Sequence, residues 1–241
     1  MQVKYLPEKH IRDSALCLLA RYGEKFGPVE RPPIPVEEIL EAHLELQLDF
    51  DDLAKRLGVA DVLGATWVRE RRVLIDQSLD PTQYPSKEGR YRFTVAHEIG
   101  HWELHRHVYQ AGANQPSLFD GTEKPSIVCR ARSGKDRQEW QADTFSGYLL
   151  MPEDMVYLAW EERFGSLEPY VAVDEIADLT AKWGLGEDDH KPTVAAAREL
   201  ARVFQVSGQA MQVRLIGLDL IRTDVPPPEL FPHPGAAQQH M

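Results

Sequence analysis

The 241 residues carry 27 Lys and Arg against 38 Asp and Glu, a formal charge of -11, so long-range attraction to nucleic acid or anionic lipid is disfavoured. The longest uninterrupted apolar run, residues 15–20, is 6 residues, far short of the roughly 20 that cross a bilayer; it lies between Asp13 and Arg21 with no small-residue cleavage site after it, and the sequence reads as cytoplasmic. A hydrophobic content of 43% with 27% charged residues is that of a folded chain, and Cys17 and Cys129, the only cysteines, make neither a disulfide framework nor a Cys-rich zinc knuckle and are expected to be buried and reduced.

Ile11, Ala15, Leu18, Leu19 and Tyr22 recur at helical spacing and predict a first helix that Gly23 and Gly27-Pro28 end. Pro35 opens a short second helix that stops near His43. Leu44, Leu46, Leu48 and Phe50 alternate with Glu45, Gln47 and Asp49, the pattern of a half-buried strand. Residues 62–68 and 73–76, joined by Arg69-Glu70-Arg71-Arg72, predict an antiparallel hairpin with a solvated tip. A helical run follows through Tyr91, Phe93, Val95, Ala96 and Ile99, then a loop from about 110 to 124. Later helices are expected near 136–150, 153–163, 173–183, 193–204 and 208–217, with a flexible tail after 224. The predicted fold class is α+β with a small, mainly antiparallel sheet.

His97-Glu98-Ile99-Gly100-His101 is an H-E-x-x-H sequence inside one of these helical runs. With 9 His among 241 residues, a shuffled chain of this composition would hold about 0.03 such matches, so chance is a modest competitor. Four residues advance about 400° around a helix and about 6 Å along it, so both imidazoles leave one face and can reach a single ion, while Glu98 projects about 100° away. That places Glu98 as a general base beside the ion and not as a ligand, which is hydrolytic chemistry. The competing reading is a helix with two core-edge histidines and a solvated Glu.

A catalytic zinc takes three protein ligands and keeps one position open. His105 lies about 12 Å along a straight helix from His97, too far to share the ion. His107 falls where H-E-x-x-H-x-x-G-x-x-H places a third ligand, but Leu104 stands at the turning glycine. Helix-end histidines of this kind are commonly surface or second-layer groups. Glu139 and Asp143, four residues apart on the following helix, resemble the E-x-x-x-D arrangement of thermolysin-like gluzincins, which implies that Glu139 binds zinc and Asp143 orients a ligating imidazole. Trp67, Trp102, Trp140, Trp160 and Trp183 are read as core residues.

Residues 93–105 (FTVAHEIGHWELH), Cys129-Arg130-Ala131-Arg132-Ser133 and residues 139–152 (EWQADTFSGYLLMP) together resemble the ImmA/IrrE family of metallopeptidases in order and spacing. The resemblance covers roughly residues 10–220. It implies a compact zincin fold, one Zn2+ per chain held at His97, His101 and Glu139, Glu98 as catalytic base, and a helix-turn-helix transcriptional repressor or antitoxin as protein substrate. Cleavage would derepress stress, DNA-damage or mobile-element genes.

Residues 200–207 and 210–215 look like helix, tight turn, helix. The expected organisation is a peptidase domain at 1–190, helix-turn-helix-like helices at 191–223 packed on it, and the tail from 224. Arg198, Arg202, Arg214 and Arg222 stand against Glu199 and Asp219 there, too weak a basic stripe for a DNA reader, so direct nucleic-acid binding is not expected. The rival function is a DNA-binding regulator with a vestigial or structural metal.

Overall fold

The computed structural model describes residues 3–111, 125–130, 136–184 and 192–224. Helix α1 (Glu8–Phe26) buries Ile11, Ala15, Leu18 and Tyr22, the stripe that its spacing predicts, and ends at Gly27 with φ 99°. Cys17 is exposed, against expectation: it lies about 200° around the helix from Ala15 and so faces away from the stripe. Pro35 precedes α2 (Val36–Glu38), which runs on into a π-turn at Ile39–His43. Because Leu44 N closes that turn onto Ile39 O and Glu45 takes a left-handed φ of 53°, strand β1 begins at Gln47 and runs to Asp51, later than the alternation from Leu44 indicates.

Helix α3 (Leu53–Leu57), not foreseen, is capped by Asp52, whose carboxylate accepts from Lys55 N. Strands β2 (Val62–Trp67) and β3 (Arg72–Asp76) form the expected antiparallel hairpin. Arg71, at φ 53° in its turn, is more than a solvated tip residue, since its guanidinium donates to Leu44 O and Glu45 O. Strand β4 (Ile127–Arg130) completes a sheet of order β1-β3-β2-β4. The sheet is mixed: β2 is antiparallel to β3 and β4, but β1 is parallel to β3. The chain leaves β1 through α3, passes to β2, and the hairpin then returns β3 into the space beside β1.

Helix α4 (Glu88–Ala111) lies on β2 and β3, and α5 (Arg137–Leu150) packs between α4 and α1. Gly100 makes the α4–α5 approach possible, because a Cβ there would stand 3.2 Å from the Cα and carbonyl oxygen of Ala142. Helices α6 (Glu153–Phe164), α7 (Val173–Trp183), α8 (Ala195–Phe204) and α9 (Gly208–Gly217) match the predicted positions to within two residues. Two short strands outside the prediction, β5 (Tyr170–Val171) and β6 (Ile221–Arg222), pair in parallel.

One apolar core joins Ile11 of α1, Phe145 of α5 and Trp160 of α6 to Phe204, Met211 and Leu215 of α8 and α9. The α8–α9 turn sits on the first turn of α4, where a Cβ on Gly89 would lie 2.7 Å from the backbone carbon of Val206. Arg214 Nε also donates to Met151 O at 3.0 Å. Trp67, Trp102 and Trp160 are buried, but Trp140 and Trp183 are 42% and 51% exposed. Trp140 takes the outer face of α5 and stacks on Tyr5, while α7, which ends at Trp183, buries none of its residues. Among the described residues no helix is long and apolar enough to cross a membrane. The tail from 225 and the loop residues 112–124 lie outside the described residues.

Candidate metal centre

Helix α4 presents His97 and His101 to α5 and Glu98, about 100° around the axis, to strand β2. His97, Glu98 and His101 are all buried, as is Glu139 at the start of α5. Asp136 caps α5 by accepting from Gln138 N, so Glu139 sits in the first turn, where the helix dipole favours a carboxylate. Its Oε2 lies 3.3 Å from His97 Nε2 and its Oε1 3.3 Å from His101 Nε2. Donor atoms around a tetrahedral ion with bonds of about 2.0–2.1 Å stand roughly 3.3–3.4 Å apart, so these separations suit one small divalent cation.

The hydrogen bonds behind the imidazoles fix their tautomers without reference to any ion. Gln141 Nε2 donates to Lys4 O at 2.9 Å, which turns Gln141 Oε1 toward His105 Nε2, also at 2.9 Å. An amide oxygen only accepts, so His105 Nε2 carries a hydrogen. Burial lowers the His105 pKa and holds it neutral, leaving His105 Nδ1 as an acceptor. The 3.0 Å contact from His101 Nδ1 to His105 Nδ1 therefore places a hydrogen on His101 Nδ1. Burial brings His101 down to about 3, so its Nε2 is a bare lone pair facing an oxygen of Glu139. His97 Nδ1 pairs with Asp143 Oδ1 at 2.8 Å.

A carboxylate oxygen and an imidazole lone pair 3.3 Å apart repel unless positive charge lies between them. His97 Nε2 and His101 Nε2 are both buried without a hydrogen-bond partner, the condition that a shared cation would relieve. Burial would lower the His97 pKa, but the Asp143 carboxylate on Nδ1 outweighs it and raises the value well above the ordinary one, so a cation at Nε2 would bind in exchange for a proton. The donor set thus fits a divalent metal ion.

Glu98 Oε2 accepts from Thr66 Oγ1 at 2.6 Å, and its Oε1 is buried without a partner. Burial pushes the carboxyl up to about 7, partly offset by the charge of His97 and by the Thr66 bond. Gly64, two residues before Thr66 on the same face of β2, leaves the space that Glu98 fills: a Cβ there would lie 2.5 Å from Glu98 Oε1. Cys129 is the cross-strand partner of Gly64, and burial raises its thiol pKa.

All five residues singled out in the sequence, His97, Glu98, His101, Glu139 and Asp143, therefore come together. His105 stands in a second layer behind His101, and His107 is exposed. Thr66, Gly64, Gln141 and Lys4 were not foreseen. No spacing rule links them to the H-E-x-x-H helix, since their positions follow from sheet register and from where the chain start crosses α5. A groove of about 1050 Å³ borders Asp143 and is walled by Arg90, Phe93, Tyr148, Val213 and Arg214.

A peptidase M78 family model, described as the IrrE N-terminal-like domain, matches residues 45–215, a span that includes every residue of the proposed metal centre. The chain belongs to this IrrE-like family. Membership makes it a metallopeptidase-type protein. No curated protein matches the chain. A Mycobacterium tuberculosis transcriptional regulator of known structure aligns at 14% identity and a TM-score of 0.44, over 87% of this chain and 52% of its own length. The IrrE-like chain thus spans about half of that structure's length.

Proposed function

We propose that the protein is a zinc-dependent endopeptidase in which His97, His101 and Glu139 hold the ion, Asp143 orients His97, and Glu98 is the catalytic base. The supporting observation is the pair of 3.3 Å separations between the Nε2 atoms of His97 and His101 and the two oxygens of Glu139. A zinc ion bound there supplies Lewis acidity toward a peptide carbonyl and lowers the pKa of water toward about 7. Glu98 takes the proton of the attacking water on Oε1, with Oε2 held by Thr66, and delivers it to the leaving amine. Burial suits Glu98 to this exchange, because a carboxyl near neutrality can both accept and return a proton.

The substrate proposed by resemblance to the family is a helix-turn-helix repressor or antitoxin. In this reading residues 191–223 wall the groove beside Asp143 through Val213 and Arg214 and do not read DNA. The test is co-incubation of the purified protein with purified helix-turn-helix repressors of its own genome, any encoded beside its gene first, with and without chelator. Cleavage should stop on chelation. Glu98→Gln should keep the metal and the fold while cleavage falls by roughly 10²–10⁴-fold. An active Glu98→Gln protein would overturn the mechanism. Salt-sensitive duplex binding in a gel shift, with no cleavage of any repressor, would favour the regulator reading instead.

A further inference from the structure

The thiol of Cys129 takes no part in the reaction proposed above, yet it lies inside the same pocket. Potential ligand atoms of His97, Glu98 and Cys129 all stand within 4.8 Å of one another, and all three residues are buried. Register explains the placement. Gly64 and Cys129 face each other across β2 and β4, directly opposed residues of an antiparallel pair share a sheet face, and the face at Gly64 is the one that Glu98 covers. Glu98 Oε1, fully buried and without a partner, lies at this position. A sulfur and an imidazole nitrogen on one tetrahedral ion stand about 3.6 Å apart, within the observed spacing.

We propose that His97, Glu98 and Cys129 form a second metal position, for a thiophilic divalent cation such as Cd2+, which shares His97 with the His97–His101–Glu139 set. On coordination the thiol proton leaves to solvent and the thiolate becomes the soft donor that the other set lacks. A carboxylate used as a ligand there cannot also accept a proton from water. The position is therefore inhibitory, and because His97 Nδ1 is held by Asp143 its one remaining nitrogen serves a single ion, so a soft cation there takes His97 away from the His97–His101–Glu139 set.

The test uses the full chain with Cys17→Ser, which removes the exposed thiol, and cadmium chloride as the probe. Cadmium should produce a near-ultraviolet thiolate-to-cadmium charge-transfer band that saturates at one ion per chain. The band should vanish when Cys129→Ser is added. Glu98→Gln in the Cys17→Ser background should keep the band but move its midpoint to about tenfold higher cadmium or more, by loss of one donor. Bound cadmium by equilibrium dialysis without a band in the Cys17→Ser protein would overturn the proposal, as would a midpoint indifferent to Glu98→Gln. The Cys17→Ser and Glu98→Gln comparison keeps Cys129, so it decides the matter even if Cys129→Ser fails to fold. Because the readout is optical, a chain that binds cadmium through sulfur yet cuts nothing would count against the peptidase reading alone.

Discussion

Two residues, Gly64 and Gln141, decide how the buried polar groups stand. Gly64 is the only residue type that lets Glu98 lie flat on β2, because any Cβ there meets Oε1 at 2.5 Å and Thr94 Cγ2 at 3.1 Å. Gly64→Ala should displace the carboxylate from Thr66 and cost far more activity than stability, which parallel cleavage assays and thermal melts would separate. Gln141 acts at a distance through tautomer choice. Gln141→Leu should leave His105 free to donate from either nitrogen, so the Nδ1–H form of His101 loses its preference and metal affinity falls roughly 10–100-fold. Nitrogen-15 imidazole spectra report the tautomer directly. An unchanged His101 tautomer in that variant would refute the relay from Lys4 through Gln141 and His105.

At the scale of elements, the active helix is held by close backbone approach on both sides. Gly100→Ala places a methyl 3.2 Å from Ala142 Cα and its carbonyl oxygen, and forced separation of packed helices costs about 1–3 kcal/mol. That should lower Tm by roughly 2–4 °C per kcal/mol for a chain of this size, with metal affinity falling too, because His101 and Glu139 lie on the two helices being parted. Helix positions were legible in the sequence because apolar spacing and Gly or Pro stops report them locally. The parallel pairing of β1 with β3 was not, since nothing in residues 47–51 marks which neighbour the strand will meet. On α5 the polar Glu139, Gln141 and Ser146 are buried while Trp140, expected in the core, is exposed, because the histidines of α4 face the helix on its polar side.

For the whole molecule, cohesion and chemistry share the same residues. A metal ion bound only by the folded chain stabilises it by about 2.7 kcal/mol at a free concentration of 100 times Kd, so added zinc should raise Tm by roughly 5–11 °C. Scanning calorimetry of chelated and zinc-loaded protein checks this, and Glu139→Ala should abolish the shift whereas His107→Ala should not. The grouping of His97, Glu98 and His101 could be read from sequence because helical geometry sets their spacing, and Glu139 joined them through the family resemblance. The surrounding polar layer could not, because it gathers Lys4, Thr66, His105 and Gln141 from three elements and the chain start, brought together only by the tertiary fold.

The bond from Gln141 to the Lys4 carbonyl spans 137 residues of sequence and ties the backbone at residue 4, through His105, to His101. A chain clipped just before α1 would keep its helices, its sheet and all three donors, and would still hold zinc more loosely, since nothing would then tell the amide of residue 141 which way to point. Trimming the leading edge of this chain should therefore act as a dial on its metal occupancy.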